Sequence, residues 1–123
     1  GSSRPPNEEI LGDIYTLAEY VSKMLARSME SFNNLDVEGA LKVLRMGLKL
    51  DDRLQTILRH LSTFVMEDSR NVGHFVDIVL GIRALERFGG HAKNIAGHLV
   101  FIKHGIDVRH EGADSIIRSI QEQ

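Results

Sequence analysis

The chain has no cysteine, and its only two prolines, Pro5 and Pro6, stand before residue 7. The first absence excludes a disulfide framework and thiolate chemistry and is compatible with a reducing cytosol. The second leaves nothing later in the chain to interrupt very long helices. No apolar run approaches the roughly 20 residues that span a bilayer, and strand-like alternation is sustained nowhere. Charge of one sign is also missing: 15 Lys and Arg against 17 Asp and Glu leave a net charge of −2. That balance gives no general attraction to nucleic acid or to an anionic membrane surface.

What is present is helical pattern. With 123 residues, 42% of them hydrophobic and 26% charged, the chain is the size of one domain with a continuous core. Residues 1–6 read as a tag remnant and polar lead, since Gly1-Ser2-Ser3 carries no folding signal. A first helix is expected from Asn7 to about Asn33-Asn34, with Ile10, Ile14, Leu17, Val21, Leu25 and Phe32 on one stripe. A second follows Asp36 as N-cap and runs to about Met66, with Val37, Leu41, Leu44, Leu48, Leu54, Ile57, Leu58, Leu61 and Val65 facing inward.

Glu67-Asp68-Ser69 then caps a third helix from about Arg70 to Lys103, carrying Val72, Val76, Val79, Ile82, Leu85, Ile95, Leu99 and Ile102. Gly105 reads as its stop. Both connections are short, so the expected fold is all-α, an up-down-up antiparallel three-helix bundle over residues 7–105. Residues 106–123 form an extension in which Ser115 to Gln121 either makes a brief helix or frays.

No catalytic constellation emerges: there is no nucleophile elbow and no phosphate-cradling loop, because Gly89-Gly90 falls mid-helix. Asp51 and Asp52 point to different sides of their helix, which is poor placement for shared acid-base work. The chain therefore does not read as an enzyme. His91 and His98 share a face, yet neither has a metal-ligand partner four residues away. Arg83 and Arg87 flank Glu86, which gives an ordinary intrahelical ion pair or, through the guanidinium fork, a contact for phosphate or an acidic partner surface. Gly47, Gly81, Gly90 and Gly97 are a costly set for helix interiors, at about 0.8–1 kcal/mol each relative to alanine.

The run RALERFGGHAKNIAGHLVFIKHGIDVRH, Arg83 to His110, resembles the C-terminal signature of the PhoU family of phosphate-signalling proteins. Similar matches occur in RMGLKLDD (Arg45–Asp52), HLSTFVMEDSRNV (His60–Val72) and the Asn34-Leu35-Asp36 turn, so that one repeat spans about Glu8 to His110. The resemblance implies a three-helix repeat, of which typical members carry two. It also implies paired acids four residues apart on helices two and three, which hold iron, zinc or another divalent metal in some members. Asp51 and Glu86 match one acid of each pair, while Gly47 and Gly90 stand where the other acids are expected, and Gly97 replaces a third family acid. This set is thin for a metal, so no cofactor is expected.

By resemblance, the chain is a non-enzymatic regulatory interaction domain that represses phosphate uptake and phosphate-starvation signalling. Its partners would be a phosphate ABC transporter and a sensor kinase, met in the cytoplasm at the membrane surface. Arg83, Arg87 and His91 are the candidate partner-binding residues, and self-association as an isologous dimer is an option for a single repeat. The competing readings are an isolated or engineered helical scaffold without signalling activity, and a residual metal-binding module recruiting His91 or Asp77.

Overall fold

The computed structural model describes residues 6–68, 70 and 72–122. The expected tag remnant lies almost wholly outside the described residues, as do Ser69 and Asn71. Among the described residues, three helices make up the fold: α1 (Pro6–Asn33), α2 (Val37–Glu67) and α3 (Val72–Gln121). Each packs against both others, which gives the expected all-α bundle.

The core explains the packing. Its positions in α1 are Ile10, Ile14, Leu17, Val21, Met24, Ser28 and Ser31; in α2, Ala40, Val43, Gly47, Leu50, Leu54, Ile57, Leu61 and Phe64; in α3, Ile78, Ile82, Leu85, Gly89, Ala92, Ala96 and Leu99. Steps of three and four alternate along every seam, a strict seven-residue repeat that matches the shallow crossing of left-handed supercoiled helices. Inside it, the Ser28 hydroxyl donates to the Leu25 carbonyl at 2.8 Å, which satisfies the most deeply buried polar side chain.

This seam moves several side chains from their expected places. Phe32, Leu41, Leu48, Val72, Val76 and Ile102 are exposed, Leu48 to 72%. Small residues and Met24 take the core positions instead, because the helices approach closely at Ala40, Gly47, Gly89, Ala92 and Ala96. At Gly89 a Cβ built on the backbone would collide with Leu50.

The first connection is a Schellman turn. Asp36 N–H donates to the Ser31 carbonyl at 2.8 Å and Leu35 N–H to the Phe32 carbonyl at 3.3 Å, with Leu35 in the left-handed region at φ 53°. Asp36 then caps α2 as expected, its carboxylate accepting from Gly39 N–H at 3.0 Å. At the second connection Asp68 accepts from the Arg70 backbone N–H at 3.0 Å and pairs with its guanidinium at 2.8 Å. The expected stop at Gly105 is corrected. No glycine among the described residues has the positive φ that a glycine stop uses, and α3 continues unbroken to Gln121.

Candidate functional site

The two candidate segments lie side by side across the α2–α3 interface. Gly47 on α2 is level with Lys93 on α3, and Leu50 is level with Gly89, as antiparallel helices require. The structure therefore brings Asp51 close to the Gly89–Lys93 stretch. Its partner there is a lysine: Lys93 Nζ donates to Asp51 Oδ2 at 3.4 Å. The stem of Lys93 crosses directly over Gly47, where a Cβ would stand 2.6 Å from its Cδ. Gly47 is thus the gap through which the ammonium reaches Asp51.

Glu86 is engaged elsewhere, accepting from Arg83 Nη1 at 3.0 Å. Among the described residues no three His, Asp or Glu side chains converge in metal-binding geometry. With Asp51 facing an ammonium and Glu86 a guanidinium, the side chains present do not suit a divalent cation, whose binding needs several anionic or imidazole donors together. Gly90 has open space beside it, and so does Gly97. Gly47 and Gly89 are accounted for by a close neighbour, as is Gly39 against Ser31 and Asp36. Nothing in the structure explains glycine at 90 or 97.

The candidate partner-binding residues lie on the exposed side of α3. Arg87 and His91 are both exposed, and His91 stands edge-on to Phe88 at 6.2 Å between ring centroids. Arg83 is held toward Glu86 on the same helix. Asp77 lies away from this group, in a groove of about 420 Å³ between α1 and α3 lined by Leu11, Ile14, Tyr15, His74, Ile78 and Gly81. A second α1–α3 groove, about 330 Å³, lies toward the other end beside Met29, Phe32, Ile95 and His98. Sequence reasoning placed Phe32 in the core and passed over Tyr15; the seven-residue seam was the signal that separates both from buried positions.

The acidity of Asp68 is displaced by its neighbour across the second connection. Its carboxyl is held below the usual value by the Arg70 side-chain hydrogen bond and, secondarily, by the Arg70 backbone N–H.

The sequence that builds this site has known relatives. The PhoU domain description matches residues 14–99, most of the chain. The chain belongs to the PhoU domain family. It is similar to the phosphate-specific transport system accessory protein PhoU homolog of Pseudomonas aeruginosa, at 35% identity over 100 residues covering 81% of this chain and 41% of that protein. The homolog from Pseudomonas putida is 30% identical over 109 residues, 89% of this chain and 43% of that one. PhoU of Escherichia coli is 28% identical over 110 residues, covering 89% and 46% respectively. The chain thus spans less than half the length of the PhoU relatives it matches. No solved structure matches it. The PhoU match ends at residue 99, where the buried seam also ends. Among the described residues no helix is long and apolar enough to cross a membrane.

Proposed function

We propose that this PhoU domain is a non-enzymatic regulatory interaction module that takes part in negative regulation of phosphate uptake and of the phosphate-starvation response. The observation that carries this reading is the PhoU domain match across residues 14–99. The named relatives are accessory proteins of a phosphate-specific transport system, so the partners are taken to be the transporter's ATPase subunit and the sensor kinase that reports on it. The domain would meet them in the cytoplasm, at the membrane surface.

Contact would use side chains rather than a metal. The apolar grooves between α1 and α3 offer area, and Arg87 and His91 on the outer face of α3 offer donors for an acidic partner surface. Asp51 and Glu86 serve the bundle as ion-pair partners, and the domain works without a cofactor. Self-association as an isologous dimer is part of the same reading.

Pull-down of the purified phosphate-transporter ATPase and the sensor kinase with the immobilised domain tests the reading. Retention of either is expected, weakened by the double change Arg87→Glu/His91→Glu. Failure to retain both sinks it.

A further inference from the structure

The last 21 residues of α3 leave the bundle altogether. Every residue from Phe101 to Glu122 is exposed, and the helix runs on to Gln121 without a break. At 1.5 Å per residue this overhang projects about 33 Å. A helix of that length containing Gly105 and Gly112 is marginal by itself, because isolated helices depend on propensity and each glycine weakens it.

Its residues are patterned for burial. Ile102, Ile106, Ala113, Ile116 and Ile120, with Arg109 among them, recur at alternating steps of four and three. This is the same seven-residue repeat that the bundle core obeys, and the five isoleucines of the overhang, Ile117 included, are all uncovered. The surface as a whole shows the same surplus. The chain exposes 8941 Å², about 2,300 Å² beyond the roughly 6,600 Å² of a compact monomer of its mass. A standard protein interface needs only about 800 Å² from each side.

Charge selects what covers the stripe. The half nearer the bundle, Ile102 to His110, carries Lys103, Asp107 and Arg109; the outer half, Glu111 to Glu122, carries Glu111, Asp114, Arg118 and Glu122. One half is net positive and the other net negative. Two overhangs side by side in opposite directions set unlike halves against each other, whereas parallel overhangs set like against like.

We infer that the α3 overhang is a homodimerisation arm, pairing antiparallel with the overhang of a second copy. In the register that closes the stripe, Ile102 faces Ile120 of the second copy, Ile106 faces Ile116, and Arg109 lies over Ala113. The two-fold axis passes near Glu111 and Gly112. Glycine there lets the two backbones approach at the axis, and Arg109 reaches Glu111 or Asp114 of the other chain. The contact is isologous and closes at two copies. This deepens the self-association described above and stands apart from binding to the transporter or kinase.

The natural lack of cysteine makes the arrangement directly testable. Ile106→Cys and Ile116→Cys proteins, mixed and mildly oxidised, are expected to cross-link at least about tenfold faster than either protein alone, because like positions lie about 15 Å apart in the antiparallel pair. Light scattering on the full chain at ~100 μM is expected to give the dimer mass, and Ile116→Asp to raise the dissociation constant at least about tenfold. Circular dichroism should show the Ile116→Asp bundle still folded, since no buried core residue among the described residues lies beyond Leu99. A monomer at that concentration overturns both this inference and self-association. A dimer unmoved by Ile116→Asp, or one in which either cysteine variant cross-links with itself as fast as the mixture, overturns the arm and leaves self-association standing.

Discussion

Single residues show how a helix seam chooses between small and large side chains. Gly89 and Gly97 sit on one helix, yet a methyl group at 89 would collide with buried Leu50 while one at 97 would meet open space. Replacing helical glycine by alanine stabilises by about 0.8–1 kcal/mol where nothing obstructs it. Overpacking a core contact costs about 1–3 kcal/mol. Urea unfolding should therefore find Gly97→Ala more stable than the parent by about 1 kcal/mol, and Gly89→Ala less stable despite its better propensity. Equal effects would mean that the close approach at Leu50 does not limit the α2–α3 interface. The same scale decides the candidate metal pair. Asp51 and Glu86 were legible in the sequence as separated acids, but Lys93 was not, because a partner 42 residues away leaves no mark in local spacing. Gly47→Asp would have to displace the Lys93 stem before its carboxylate could join Asp51. Isothermal titration with Mn²⁺ should accordingly show more binding for Gly47→Asp/Gly90→Asp/Lys93→Met than for Gly47→Asp/Gly90→Asp. The reverse order would remove Lys93 as the competing cation.

At the scale of helices and turns, the two connections make opposite predictions about local change. Leu35 holds the left-handed position of the Schellman turn at φ 53°, a conformation costing roughly 1 kcal/mol for a residue with a side chain. Its side chain is mostly exposed, so Leu35→Gly should stabilise the fold by about 0.5–1 kcal/mol, read as a higher urea midpoint. At the other connection, Arg70 holds the Asp68 carboxyl below its ordinary value of 3.8. Because the folded value is the lower one, this contribution is fully present above the unfolded value and is lost as pH falls through the folded value. The protection of the Arg70 amide, its exchange rate relative to that of an unstructured amide at the same pH, should thus fall only below about pH 4, and Asp68→Asn should abolish that pH step. A step near neutrality would contradict the assignment. Helix number, both turns and the Asp36 cap were legible because caps and short connections are local signals. The buried faces were less so. Large residues such as Leu48 and Phe32 carry the stronger apolar signal in the sequence, whereas the seam that packs runs through Ala40, Gly47, Ala92 and Ala96. The end of α3 was misread for a related reason: glycine stops a helix only where the chain adopts positive φ, and nothing near Gly105 forces it to.

Among the described residues, the molecule divides into a bundle that holds all the buried ones and an arm that holds none. Its core is one cluster from Ile10 to Leu99, contributed by all three helices. The arm's isoleucines belong to no part of it. A chain ending after Lys103 therefore keeps every core contact and should fold with a thermal midpoint within a few degrees of the full chain at low concentration. The two should part as concentration rises. Association of folded copies stabilises them by mass action, so the midpoint of a dimer climbs with protein concentration while that of a monomer does not. Calorimetry from about 5 to 500 μM should show a rising midpoint for the full chain and a flat one for the shortened chain, the hundredfold span being worth up to about 2.7 kcal/mol of linkage. Two rising curves would place the association surface on the bundle itself, at the α1–α3 grooves, and a collapsed midpoint at every concentration would mean that the arm supports the core through contacts the folded monomer does not display.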